Sequence, residues 1–204
     1  MRVLVVFNHP YQGSFCHSIL NSVMRGLDDG QHEIDVIHLD KDQFDPVMRR
    51  KDLQAFTIAK TDPDRAFTML DEQVLDYKQR VESADHIVFI FPIWWELMPA
   101  LTKGFIDKLI FPGIAYNYKE NGLGMYSLLN KLEGVTMITT MNTPSLAYRL
   151  LFGNAIQKAL LMGTFWKIGI KKRKWINLTN VKFSSDKKRA KWLSDIEMRF
   201  MQLR

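Results

Sequence analysis

The stretch Ile87–Tyr118, IVFIFPIWWELMPALTKGFIDKLIFPGIAYNY, decides the fold. Ile87 to Phe91 is an unbroken apolar run of strand length that stops at Pro92. Such a run suits a strand covered on both faces, as in a parallel sheet. Pro92, Ile93, Trp94, Trp95, Glu96, Leu97, Met98 and Pro99 then read as a loop. A helical pattern follows, and the stretch closes on the pair Tyr116 and Tyr118.

Working outward, the same strand–loop–helix unit recurs. Arg2 to Phe7 (RVLVVF) is a second continuous apolar run, and the loop Asn8–Cys16 follows it. Ser14 is placed to cap a helix whose inner stripe is Ile19, Leu20, Val23 and Leu27. Gly30 stands where a helix-ending glycine is common. His32 to Leu39 alternates and reads as a less covered strand. Residues 49–67 read as short helical pieces broken near Asp62-Pro63, and Val74, Lys78 and Val81 share a helix face ending near Ser83. Gly122 and Gly124 mark a loop. Val135 to Thr140 reads as a strand, Leu146 to Leu161 as a helix, and Lys174 to Phe183 as a strand. Ser184-Ser185-Asp186 caps a last helix with Ala190, Leu193, Ile196 or Glu197, and Phe200 inward. Five alternations of strand and helix predict an α/β fold, a parallel sheet with helices on both faces, in one domain over 1–204.

Composition narrows the function classes. The chain has 204 residues, 47% of them hydrophobic, enough for one sizeable core. Its longest apolar run is about five residues, against the ~20 that span a membrane. Met1-Arg2 leads straight into Val3 without a signal-like segment, so a cytoplasmic protein is expected. The single cysteine, Cys16, rules out an intramolecular disulfide. A net charge of +6 gathers in the last third, from Lys171 to Lys191, and could meet an anionic partner. That segment lacks interleaved aromatics and any recognition motif, so no nucleic-acid partner is expected.

In parallel sheets, ligands sit outside the carboxyl ends of the strands where strand order reverses. Three loops therefore matter. Asn8–Cys16 offers small residues and hydroxyls before a helix N-terminus, a natural anion seat, although it is neither GxGxxG nor a P-loop. Cys16 has Ser22 six positions on, where a thiol phosphatase needs arginine. His9 and His17 have no third ligand near them in sequence, so no metal site is expected. In the second loop, two adjacent tryptophans cannot both enter the core; either they flank a planar ligand or one packs under the helix. In the third, Thr139-Thr140-Met141-Asn142-Thr143-Pro144 offers hydroxyls and an amide for a polar ring edge, or is a proline-containing turn.

The combination resembles the flavodoxin-like NAD(P)H:quinone oxidoreductase family. The matching pieces are N-H-P-Y-x-G-S-F after the first strand, F-P-I-W-W-E-L-M-P-A-L-T-K-G-F-I-D-K, A-Y-N-Y, and the T-T strand end, over roughly residues 2 to 200. The resemblance implies a flavodoxin-like three-layer sandwich with a five-stranded parallel sheet, order 2-1-3-4-5. It implies a noncovalent flavin, FMN or FAD, reduced by NAD(P)H, a quinone or similar small aromatic acceptor, and ping-pong turnover in a homodimer. Carried over by motif, His9, Ser14, Phe15 and Cys16 hold the phosphate and ribityl side. Pro92, Ile93, Trp94 and Trp95 lie along the ring system, and Thr140, Met141 and Asn142 meet its pyrimidine rim. Tyr116 and Tyr118 line the pocket for nicotinamide and acceptor, in their own chain or from the partner subunit, and Tyr148 is the candidate proton donor. The chain departs from the family at Glu96, where relatives carry an aromatic, at Met141-Asn142, where they carry glycines, and at Gly153, near a family histidine. An alternative within the same resemblance is a flavin-binding ancillary subunit of a potassium-efflux system, its basic third docked on a membrane protein.

Overall fold

The computed structural model describes residues 1–121 and 123–204; Gly122, half of the expected glycine loop, lies outside the described residues. The sheet is built from β1 (Arg2–Phe7), β2 (Glu33–His38), β3 (His86–Pro92), β6 (Gly134–Thr140) and β7 (Lys172–Leu178). Its order is β2-β1-β3-β6-β7, all parallel, which is 2-1-3-4-5 counted over these strands alone. The remaining two strands, β4 (Tyr116–Tyr118) and β5 (Met125–Ser127), form a separate antiparallel hairpin.

The period-two alternation of the strands sorts their side chains between two cores. Leu4 and Val6 of β1, Ile87, Phe89 and Phe91 of β3, and Val135 and Met137 of β6 join one core. It packs under α2 (Arg50–Ile58), α3 (Pro63–Phe67), α4 (Glu72–Ser83), α5 (Ala100–Leu109), α6 (Ser145–Leu151) and a π-helical segment, Gln157–Trp166. Val3, Val5, Phe7, Val88, Ile90 and Ile138 face the other way, onto α1 (Phe15–Asp29) and α7 (Asp186–Met201). Each such buried side chain contributes about 1.5–3 kcal/mol. The result is the three-layer sandwich expected.

Two close approaches set the layers. A Cβ on Gly26 would stand 2.3 Å from the Glu197 carbonyl oxygen, so α1 and α7 touch backbone to backbone. A Cβ on Gly104 would stand 2.3 Å from Pro46 Cα, so α5 lies directly against the segment that follows β2.

Several expected boundaries move. Ser14 caps α1 as read, its side chain accepting the His17 N–H. Gly30, however, has φ −78°, and Gln31 takes the left-handed turn at φ 56°. The helix expected over 146–161 is split, because Gly153 (φ 59°) and Asn154 (φ 55°) break it between α6 and the π-helical segment. The strand expected to run to Phe183 stops at Leu178, where left-handed Asn180 starts a short 3-10 turn, Val181–Phe183. Ala190 is exposed, while Ile196 and Phe200 carry the inner stripe of α7. None of the helices among the described residues is long and apolar enough to cross a membrane.

Candidate functional site

The carboxyl ends of β3, β6 and β7 lie level, and β1 ends two residues short of β3. Phe7 pairs with Ile90, Pro92 with Thr140, and Thr140 with Leu178. The three loops therefore leave from one edge, beside the reversal between β1 and β3. There they enclose a cavity of about 310 Å³. Its wall takes His9, Ser14, Phe15 and Cys16 from the first loop and α1, Pro92, Ile93 and Trp94 from the second, and Thr140, Met141 and Asn142 from the third. Ten of the eleven residues read as cofactor-binding are thus brought to one cavity. Val181 and Lys182 complete it and were missed; Asn180, a residue tolerant of left-handed backbone, was the only local sign that the chain turns back there.

The first-loop end of the cavity rests on α1. The Phe15 and Cys16 amides lie in the first turn, where a helix supplies no acceptor for its N–H groups. That turn contains no acidic side chain, so the positive end of the helix is uncompensated. Cys16 Sγ lies 3.3 Å from Thr140 Oγ1, and burial pushes the thiol up to about 11 although the Thr140 contact works the other way. The thiol is therefore neutral near pH 7 and places no anion beside the helix end. Burial holds His9 below the ordinary imidazole value, and Asp40 partly offsets it.

Asn8 ties the first loop to its neighbours. It is 2% exposed; its amide donates to Asp40 at 2.8 Å and its carbonyl accepts from Thr102 of α5 at 2.9 Å. The loop thus has little freedom to move away from the start of α5.

The second loop is a tight turn. Trp94 N–H donates to Leu97 O at 3.0 Å and Leu97 N–H donates to Trp94 O at 3.1 Å. Trp95 and Glu96 at its tip have φ 49° and 64°. Left-handed backbone at non-glycine residues costs on the order of 1–3 kcal/mol each and persists where its surroundings over-determine it. Here Thr143 Oγ1 donates to Glu96 Oε1 at 2.9 Å, and the Tyr148 hydroxyl donates to the Glu96 carbonyl at 2.8 Å. Glu96 is thus the anchor that joins the second loop to the third.

Two expected roles need correction, those of Trp95 and Tyr148. Trp95 does not line the cavity with its side chain, which is 98% exposed because the turn points it outward. Tyr148 is fully buried; its hydroxyl donates to Glu96 O and accepts the Ile156 N–H at 2.9 Å, so it serves as a strut and has no proton free for the cavity. Burial also raises its pKa. Tyr116 and Tyr118 pair edge to face at 5.6 Å on the β4–β5 hairpin, and Tyr116 borders a different, largely apolar groove of about 370 Å³ with Met48, Phe56 and Ile106. Within one chain they do not reach the first cavity.

Comparison with known proteins places this geometry. The chain is 31% identical over 129 residues to NAD(P)H dehydrogenase (quinone) 1 of Cavia porcellus, covering 57% of this chain and 46% of that one. It spans about half the length of that relative. A solved structure, Smu.1420 from Streptococcus mutans UA159, is 31% identical with a TM-score of 0.83, covering all of both chains. The NAD(P)H:quinone oxidoreductase from Methanothermobacter marburgensis superposes at TM-score 0.86 and 22% identity, over 100% of this chain and 99% of that one, and speaks for the fold alone. The family profile of Flavodoxin_2, described as a flavodoxin-like fold, matches residues 1–199. The chain belongs to the Flavodoxin_2 family.

Proposed function

We propose that this protein is a flavin-dependent oxidoreductase that takes hydride from NAD(P)H and delivers it to a quinone or similar flat aromatic acceptor. One observation carries the reading. A single cavity at the reversal point joins open first-turn amides of a helix to a flat apolar strip, Pro92–Trp94, and a hydroxyl and amide rim, Thr140–Asn142. An elongated ligand with a phosphate at one end and a planar polar ring at the other matches that donor set. The name borne by the Cavia porcellus relative supports the same activity.

Flavin, when bound, supplies two-electron hydride transfer between donor and acceptor. The chain's residues bind and orient. The Phe15 and Cys16 amides, with Ser14 and His9, would hold the phosphate; the protonated Cys16 thiol keeps that end free of competing negative charge. Ile93 and Trp94 would lie along the ring system, held by the Glu96 anchor. Thr140, Met141 and Asn142 would fix the polar rim. FMN and FAD share all of these contacts.

The acceptor face is completed by a second copy in this reading. The groove that includes Tyr116 is the face assigned to it, and the β4–β5 hairpin then brings Tyr116 and Tyr118 over the partner's cavity. Steady-state NAD(P)H oxidation at several benzoquinone concentrations tests the reaction. Parallel double-reciprocal lines are expected from the shared site. Flavin-loaded protein that oxidises NAD(P)H no faster than free flavin would remove the proposal.

A further inference from the structure

Behind the phosphate end of the cavity stands a row of three imidazoles. His9 and His17 have centroids 6.3 Å apart, and His17 and His38 5.6 Å apart, with the Phe7 ring against both His17 and His38. Their hydrogen bonds differ in kind. His9 Nδ1 accepts the Tyr11 N–H at 3.1 Å, and His38 Nδ1 accepts the Lys41 N–H at 3.1 Å. A backbone N–H cannot reverse, so neither Nδ1 can take a proton without losing its bond. His17 Nδ1 instead faces the Ser14 hydroxyl at 3.2 Å. A hydroxyl can donate or accept. Ser14 also lines the cavity, next to the Phe15 and Cys16 amides.

We propose that His17 is a proton-linked positioning residue that sets the direction of the Ser14 hydroxyl, and through it the grip on the phosphate of the bound cofactor. With His17 neutral and Nδ1 unprotonated, the Ser14 hydroxyl donates to Nδ1, accepts the His17 backbone N–H and leaves one lone pair toward the cavity. With Nδ1 protonated, His17 donates to Ser14 Oγ, and the hydroxyl hydrogen turns to the phosphate. One proton is taken up at Nδ1 and no covalent bond changes. The inference rests on the flavin reading.

The surroundings of His17 favour its neutral form in the free protein. Burial lowers His17 first, and the neighbouring His38 and His9 lower it further. Hydrogen bonding to the Tyr11 backbone and the charge of Asp40 act in the opposite direction. A phosphate at the end of α1 adds a nearby anion and favours the protonated form. Binding therefore draws in a proton, and affinity rises as pH falls through the bound-state pKa.

The test compares FMN with riboflavin, which has the same ring but no phosphate. Flavin fluorescence quenching gives dissociation constants at pH 6.5 and 8.0, a range in which the FMN phosphate is mostly dianionic. One linked proton changes affinity by at most about tenfold per pH unit. Wild-type protein is expected to bind FMN about tenfold tighter at pH 6.5 and riboflavin equally at both. His17→Asn is expected to flatten the FMN response while keeping riboflavin affinity, and Ser14→Ala to flatten the FMN response. In wild-type protein, ¹⁵N resonances of His17 should show its pKa raised by FMN and unmoved by riboflavin. A wild-type FMN response no larger than that of riboflavin, a His17 pKa that FMN leaves unmoved, or a Ser14→Ala variant with the full pH response overturns the inference. Protein that binds neither flavin at either pH removes the flavin reading itself.

Discussion

Replacing Tyr148 by phenylalanine removes one oxygen and keeps the shape of a fully buried ring. Two hydrogen bonds go with it, to the Glu96 carbonyl at 2.8 Å and from the Ile156 N–H at 2.9 Å. Each contributes about 1 kcal/mol, and the N–H left buried without a partner adds about 1 more. The loss should therefore be about 2–3 kcal/mol. For a chain of this size that lowers the melting temperature by roughly 5–10 °C. The Glu96 carbonyl is also released, and with it part of what holds the left-handed turn at Trp95 and Glu96. Urea unfolding followed by tryptophan fluorescence gives the stability change, read as a lower midpoint at constant slope. NAD(P)H:benzoquinone turnover per bound flavin, taken from pH 5.5 to 9, gives the catalytic change. The strut role predicts the stability loss, weaker flavin binding, and turnover within about threefold of wild type once flavin is saturating, with an unaltered pH profile. Unchanged stability together with a hundredfold loss of turnover would refute the strut and restore Tyr148 as the proton donor.

Other perturbations follow from the same geometry. Gly104→Ala would drive a Cβ to 2.3 Å from Pro46 Cα, and because that neighbour is backbone the two segments must part; a loss of about 3 kcal/mol or more is expected in urea unfolding. Thr143→Val removes the donor to Glu96 Oε1 and should cost about 1 kcal/mol, with flavin affinity falling and exposed-tryptophan emission changing as the turn loosens. His86 is lowered to about 4, chiefly by burial and then by Lys174 and Lys172. Above about pH 6.5 it is neutral folded and unfolded and costs nothing. As pH falls from there to about 4 the unfolded chain alone takes the proton, so about 3 kcal/mol of stability is lost on the acid side. Measured by urea midpoints from pH 7.5 to 4, that decline should shrink in His86→Gln and persist in wild type.

The layers were legible because the central strands β1, β3 and β6 are covered on both faces and are therefore largely apolar. Their runs, RVLVVF, IVFIF and VTMITT, need no tertiary information to be read. The cavity followed from them, since loops at one end of a parallel sheet are forced together. Features set by long-range contact were not legible. Tyr148 looked like a free phenol because its two partners, Glu96 and Ile156, are fixed by the fold rather than by spacing. Trp95 looked like a ring-stacking residue because nothing local said that the turn would take two left-handed residues and expose it. Lys182 was hidden in a strand pattern that stops early, although Asn180 offered a hint. Gly153-Asn154 offered a clearer one, a turn pair inside what was read as one helix. His38 was read only as part of a strand; its place beside His17 depends on the parallel pairing of β1 with β2.

The cavity between the three loops is proposed to hold a flavin that NAD(P)H can reduce. The absorption spectrum of the purified protein, as isolated and after incubation with FMN and with FAD, tests it most directly. A bound flavin band near ~450 nm is expected, bleaching on anaerobic addition of NADPH or NADH and returning with benzoquinone. Protein that stays colourless after incubation with both flavins, or a bound band that neither nicotinamide bleaches, would contradict it.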